Sequence, residues 1–218
     1  FELMMGKIFG VASVAVVQVL IWAVLVCGAG AAVMPHVLPD GAMEAAAALQ
    51  QGGGAATAAA GDFDPETLGA IALATDVSYL AMLFGYLLLF VVGGYLLYSA
   101  MFAAVGSAVD NAQDAAQLQT PIMIPIILAV IVEMSVLNDP NSPLAFWFSL
   151  IPFTSPVVMM ARIPYGIPTW EIVLSLVLLY AAFVGMVWLS AKIYRVGIFM
   201  YGKKPTLREM FRWIRYKY

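Results

Sequence analysis

Residues 79–104 read YLAMLFGYLLLFVVGGYLLYSAMFAA, a run of 26 residues without one charged side chain. At about 1.5 Å per residue, an α-helix of this length is about 39 Å long, which exceeds the hydrocarbon core of a bilayer at roughly 30 Å. An uninterrupted apolar run longer than about 18 residues is typical of a membrane-spanning helix. This run therefore predicts that the chain crosses a membrane.

The composition of the whole chain supports this class of fold. Hydrophobic residues make up 63% of the 218 residues and charged residues 11%, whereas soluble domains have roughly 45–50% and about 25%. Neither a soluble globular class nor a disordered class fits these values. A disulfide-stapled class is excluded as well, because Cys27 is the single cysteine.

Three further apolar runs, 8–34, 121–137 and 172–191, have the composition of spanning helices. The first is much longer than the 7–15 apolar residues of a signal peptide, so we interpret it as a span. The sequence therefore predicts an all-α polytopic membrane bundle with four spanning helices, at about 8–34, 79–104, 121–137 and 172–191.

Residues 144–160 are also apolar, but Pro152 and Pro156 interrupt them. Proline removes a backbone donor, and a broken backbone is tolerated at membrane depth only where protein or water satisfies it. We predict two short helices that form a re-entrant hairpin. The alternative is a fifth span, which would move the N-terminus and the loop 35–70 to the opposite side.

The remaining segments connect the spans. Residues 35–70 are acidic and rich in alanine and glycine, which indicates either a flexible loop or a weak alanine-rich helix followed by a linker. The polar residues 110–119 have helical propensity and precede Pro121, so we expect a turn or surface helix that ends there. Residues 192–218 form a basic tail, and from Lys203 onward the pattern predicts an amphipathic helix.

Positive charge is concentrated at one end of the chain. Eight of the ten Lys and Arg residues lie between Lys192 and Lys217. Because Lys and Arg are retained on the cytoplasmic side, the tail is predicted to be cytoplasmic. Four spans then place both ends in the cytoplasm, with the loop 35–70 and Arg162 outside. The absence of a basic face elsewhere argues against a nucleic-acid partner.

Ionisable residues beside the spans are the candidates for function, because a charge within a bilayer is costly. Glu133 is interpreted either as a contact in a transport pathway or as an interfacial carboxylate, and Asp76 and Glu171 as residues at span boundaries. Arg162 is predicted to pair with Glu133 or Glu171 and to brace the hairpin, an interpretation favoured over substrate binding. Together with the hairpin prolines, the candidates for a pathway or gate are Glu133, Arg162, Pro152, Pro156 and Asp76.

Small residues four positions apart allow helices to pack closely in lipid. Two such ladders end the second span, Ser99/Ala103/Ser107 and Ala100/Ala104/Ala108. By contrast, no catalytic set is present in the sequence. His36 is the single histidine and has no ligand-spaced neighbours, and no phosphate-binding loop occurs. We therefore predict no catalytic residue, metal or cofactor on this chain.

Three stretches resemble the membrane subunit of ABC-2 transporters, and in particular the NatB-like sodium-export permeases. They are FELMMGKIFG at 1–10, YSAMFAAVGS at 98–107 with Asp110 and Ala115, and IPFTSP at 151–156 followed by Ala161 and Arg162. The resemblance implies a chain that begins just before the third of six spans and lacks the first two spans and the domain between them. It also implies a homodimer or paired permease in the lipid of a bacterial cell membrane.

The same resemblance implies a partner ATPase subunit that binds ATP and Mg²⁺, and an exported substrate such as sodium or another cation. The region that would meet the ATPase comprises Glu2, Leu3, Met4, Met5, Gly6 and Lys7. The alternatives are an ABC-2 exporter of drugs, lipids or glycans, and a membrane anchor or assembly protein that transports nothing.

Overall fold

The computed structural model describes residues 2–38, 41–50, 64–108 and 112–197, and these residues contain helices and no strand. In chain order the helices are α1 (Glu2–Val37), α2 (Ala42–Gln50), α3 (Pro65–Thr75), α4 (Val77–Ala108), α5 (Ala112–Val136), α6 (Pro143–Leu150), α7 (Ser155–Arg162) and α8 (Thr169–Gly197). The chain divides into two compact units, one of Val16–Leu88 and one of Phe1–Ala15 with Leu89–Tyr218.

Within the described residues, four helices are long and apolar enough to cross a membrane, which confirms the predicted all-α polytopic fold. Their apolar segments are Ser13–Met34, Val77–Gly106, Ala115–Val136 and Thr169–Ile193. The helices themselves extend beyond the predicted spans, because a helix that leaves the hydrocarbon core can continue with polar side chains in water. The predicted amphipathic helix of the tail lies outside the described residues.

In the unit Val16–Leu88, the segment 35–70 contains α2, and α3 begins near its end. α2 packs on α3 through buried Ala42, Ala46 and Ile71, and the Gln50 amide donates hydrogen bonds to the Ala72 carbonyl and to Thr75 Oγ1. The alanine-rich helix is confirmed as α2, whereas the sequence did not predict α3. Residues 51–63, where the linker was expected, lie outside the described part of the chain.

The second span begins at a capped helix end. Asp76 Oδ1 accepts hydrogen bonds from the backbone N–H groups of Ser78 at 2.8 Å and Tyr79 at 3.3 Å. A carboxylate in this position satisfies donors that the first helical turn leaves free. The interpretation of Asp76 as a boundary residue agrees with this placement.

α5 continues through Pro121 and Pro125, so the prediction that the polar segment ends at Pro121 is wrong. An interior proline costs about 3 kcal/mol in an isolated helix. Here the flanking Leu118 and Ile122 are buried in an apolar cluster with residues of α4 and α8. Packing of this kind, together with alternative hydrogen bonds, allows proline within membrane helices.

In the unit that contains α5 to α8, contacts between spans define the direction of each helix. Gly93 on α4 lies against Leu179 on α8, and further along both helices Ser190 Oγ donates a 2.6 Å hydrogen bond to the Ala100 carbonyl. α4 and α8 therefore run parallel. α5 runs the opposite way, because its first half packs near the ends of both helices and its second half packs against α6 and α7.

Candidate functional site

α6 and α7 form a hairpin beside the beginning of α8, in agreement with the two short helices predicted in residues 144–160; that the hairpin is re-entrant stays a prediction. Each helix has eight residues and is therefore about 12 Å long, too short to cross the hydrocarbon core. Pro152 lies in the turn between them. Pro156 lies in the first turn of α7, where the missing N–H is not needed for helical hydrogen bonds. The prediction that both prolines interrupt a helix is therefore correct for Pro152 only. Pro156 belongs to the first turn of α7.

The turn of the hairpin contacts α4 directly. The Tyr98 hydroxyl donates a 2.6 Å hydrogen bond to the Phe153 carbonyl. At Gly94 a Cβ atom would lie 2.9 Å from Pro156, so the absence of a side chain permits this approach. Adjacent Gly93 is level with Leu179, ten residues or about 15 Å after the start of α8. The turn therefore lies about half-way along the α8 span.

Arg162, at the end of α7, is the buried centre of the hairpin and is only 1% exposed. Its Nε donates to the Pro140 carbonyl at 2.8 Å, and its Nη1 donates to Ser149 Oγ at 2.7 Å. Glu171 Oε2 lies 2.9 Å from Nη1. Of the two predicted acidic partners, Arg162 therefore pairs with Glu171 and not with Glu133; that the pair braces the hairpin stays a prediction.

Arg162 and Glu171 form an ion pair that is not also a hydrogen bond. Glu171 Oε2 is close to Nη1 but has no donor in hydrogen-bonding geometry among the described residues. Both side chains are buried, so each charge depends on the other for compensation of its lost hydration. The Phe146 ring, whose centroid is 6.0 Å from the guanidinium carbon, lies beside the Arg162 side of the pair.

A second polar contact joins the hairpin to α8. Ser175 Oγ donates a 2.7 Å hydrogen bond to the Ser149 carbonyl, and Ser149 is the same residue that accepts from Arg162. Ser149 and Ser175 are fully buried. Because polar groups at membrane depth need internal partners, these bonds determine where α6 can lie on α8.

The other candidate residues lie apart from this centre. Glu133 is half-buried on α5, and its role in a pathway remains a prediction, as does that of Asp76. In the ladders, Ala100 and Ala104 are buried whereas Ser99 and Ala103 are half-buried. The ladder that contains Ala100 is thus the more buried of the two, and Ser190 of α8 binds its Ala100 carbonyl. The side chain of Ser107 lies outside the described residues.

The residues proposed to meet an ATPase form the first turns of α1. Glu2 begins this helix and Gly6 is exposed, while the side chains of Glu2, Leu3, Met4, Met5 and Lys7 lie outside the described part. Across residues 2–38, 41–50, 64–108 and 112–197, no group of three or more His, Cys, Asp or Glu residues is arranged to hold a metal ion.

Sequence reasoning missed Tyr98, Gly94, Ser149 and Ser175. One signal was present, because the Gly93–Gly94 pair within a long apolar run indicates a close approach of another backbone. The serines gave no signal, since their partners are 13 and 26 residues distant in the chain.

Replacing Tyr98 with phenylalanine should destabilise the protein by about 1 kcal/mol, because the Phe153 carbonyl would lose its donor inside the bundle. Thermal unfolding in detergent measures the effect. Tyr180→Phe is a matched control, since the Tyr180 hydroxyl donates to the Leu89 carbonyl at 3.0 Å in an exposed position. Equal shifts for the two variants would contradict a special role for the Tyr98 bond.

Comparison with known proteins identifies the family of this chain. The family model described as ABC-2 family transporter protein matches residues 1–192. No curated protein matches the chain, and no solved structure matches it. The match covers most of the 218 residues, including the first three spans, the hairpin and the fourth span up to Lys192. The chain therefore belongs to the ABC-2 family of transporter proteins.

Proposed function

We propose that this chain is the permease subunit of an ATP-driven exporter, and that a separate ATPase subunit binds and hydrolyses ATP with Mg²⁺. The observation that carries the proposal is the buried Arg162–Glu171 pair in a chain of the ABC-2 family. It fixes a short hairpin that starts beside the beginning of α8, turns about half-way along that span and packs against α4 and α5. Such an element can close a path at the end where α8 begins while leaving the other end accessible.

The hairpin contacts the two parallel spans α4 and α8 through different residues. A movement of these spans would therefore be transmitted to the hairpin. α4 contributes Tyr98 to the hairpin turn, whereas α8 contributes Glu171 and Ser175. A relative movement of α4 and α8 must therefore break one set of contacts or the other. Closure of the ATPase pair would bias the spans between two such arrangements.

The proposed orientation places the hairpin outside the cell and the basic end of α8 in the cytoplasm. Lys192, near the end of α8, begins the segment that holds eight of the ten Lys and Arg residues. The end of α4 and the beginning of α5 pack near Ile193, so they would share the cytoplasmic side. We place the permease in a bacterial cell membrane as a homodimer or a paired permease.

Co-purification tests the coupling of the permease to its ATPase. We expect the full-length permease to co-purify with the ATPase encoded with it, and replacement of Glu2–Lys7 by a glycine–serine segment to reduce recovery of the ATPase at least tenfold. Met43→Ala with Glu44→Ala, on α2, should leave recovery unchanged. Unchanged association after replacement of Glu2–Lys7 would reject the coupling region.

Transport in vesicles tests the function itself. Full-length permease reconstituted with its ATPase should accumulate substrate only when ATP is hydrolysed, and a variant ATPase that cannot hydrolyse ATP is the control. An assembly that forms but moves neither cations, drugs, lipids nor glycans would favour a membrane anchor over an exporter.

For the substrate, we propose sodium or a related cation, with Glu133 as its carboxylate contact on α5. Glu133→Gln should lower ATP-dependent sodium export at least tenfold, because it removes a negative charge beside an apolar span. Asp139→Asn changes an exposed carboxylate in the loop that follows α5 and is the matched control. Normal sodium export by both Glu133→Gln and Asp76→Asn would reject the cation pathway and leave the drug, lipid and glycan alternatives.

A further inference from the structure

Exposed tryptophans lie at both ends of the α8 span. Trp170 is in the first turn and is 57% exposed, and Trp188 is 60% exposed. The Lys192 ammonium lies 5.3 Å from the centre of the Trp188 ring. The two tryptophans are 18 residues apart, or about 27 Å along the helix, which is close to the hydrocarbon thickness of roughly 30 Å.

The hairpin adds exposed aromatic residues at the Trp170 end. Trp147 on α6 is 63% exposed, and Tyr165, just after α7, is 51% exposed. The Phe146 ring contacts both tryptophans, with centroid distances of 5.5 Å to Trp147 and 6.3 Å to Trp170. Trp147 therefore lies at the level where the α8 span begins. We call Trp147, Tyr165 and Trp170 the hairpin belt.

We propose that the hairpin belt binds the phospholipid headgroup layer and anchors the hairpin in one leaflet. Tryptophan and tyrosine combine an apolar ring with a polar tip, which suits the boundary between acyl chains and water. The exposed apolar residues Val173 and Val177 follow Trp170 on α8, so the belt is continuous with a surface that has the chemistry of a lipid contact. Trp188 with Lys192 is the matching feature at the other boundary.

This assignment gives the hairpin a depth in the membrane. Glu171 directly follows Trp170 in the chain, so its pair with Arg162 lies just below the headgroups. The turn at Phe153 lies level with the middle of the span, as its contact with Tyr98 indicates. The lipid contact thus concerns the outer end of the hairpin and not its turn.

Depth-dependent fluorescence quenching tests the proposal on the full chain in phosphatidylcholine–phosphatidylglycerol vesicles. Variants would retain one tryptophan each, with phenylalanine at the others, and brominated lipids would place the quencher near the headgroups or near the chain ends. Trp147 and Trp170 should be quenched at least twofold more by the shallow label. Trp22 is the matched control, because it lies near the middle of the span Ser13–Met34 and is exposed; the deep label should quench it more.

Stronger quenching of Trp147 by the deep label, or quenching by aqueous iodide with none by brominated lipid, would overturn the proposal. If the single-tryptophan proteins fold poorly, Trp147→Phe in the otherwise native chain provides the same test by difference. It should remove more of the shallow-label quenching than of the deep-label quenching, and the reverse would overturn the assignment. These measurements need no ATPase and no substrate, so their result is independent of whether the protein transports.

Discussion

Arg162→Leu lowers the free energy of unfolding by about 3–5 kcal/mol, because it leaves the Glu171 carboxylate buried without a compensating charge. The substitution also removes the donors to the Pro140 carbonyl and to Ser149 Oγ. Titration with SDS in mixed micelles, followed by tryptophan fluorescence, measures the loss. Glu171→Gln should be destabilising for the converse reason, since it leaves the guanidinium buried and unpaired.

A double variant separates charge pairing from general disruption. Arg162→Leu with Glu171→Leu removes both buried charges, and apolar replacement of a buried pair is often neutral or stabilising. We expect the double variant to be more stable than either single variant. Glu133→Gln, at a half-buried carboxylate, should change stability by less than about 1 kcal/mol. Additive losses in the double variant would show that the pair is not the source of the effect.

Gly94→Val should cost about 3 kcal/mol and should displace the hairpin from α4. A Cβ atom at this position already lies 2.9 Å from Cβ and Cγ of Pro156, and the proline ring cannot rotate away. Overpacking of a well-packed interior typically costs 1–3 kcal/mol, and the two further methyl groups of valine place this substitution near the upper end, at about 3. Thermal unfolding in detergent measures the destabilisation, and accessibility of a cysteine introduced at Phe153 measures the displacement.

Gly85→Val is the matched control on the same helix, because no atom lies within 4 Å of a Cβ at Gly85. It carries the same change of backbone propensity without the clash. The difference between the two variants therefore isolates the contact with Pro156. If Gly85→Val and Gly94→Val are equally destabilising, the close approach of the hairpin to α4 does not contribute to stability.

The spans and the hairpin could be predicted because each depends on a local property of the sequence. A charge-free run long enough to cross lipid has few alternatives to a helix, and Pro152 removes a backbone donor, which favours a break between two short helices. The continuity of α5 through Pro121 could not be predicted in the same way. It depends on the packing of Leu118 and Ile122 against residues of two other helices.

The candidate site shows the same limit. The sequence predicted Arg162 as a brace, since a lone external basic residue beside apolar segments needs an acidic partner. It left Glu133 and Glu171 open, because spacing along the chain does not say which helix end lies beside the hairpin. The contact of Gly94 with Pro156 joins residues 62 positions apart and depends on the tertiary arrangement alone.

The contacts of Arg162 have a consequence for how this region opens. Its guanidinium touches the turn at Pro140, Ser149 on α6 and Glu171 on α8, while the residue itself ends α7. No one of these segments can unfold without leaving buried polar groups unpaired in the others. We therefore expect few local opening events of low free energy, and expect the chain from Pro140 to Ser175 to open as a single cooperative unit. We expect the hairpin to be either fully packed against α4 and α8 or fully detached from them, with partly frayed states rarely populated.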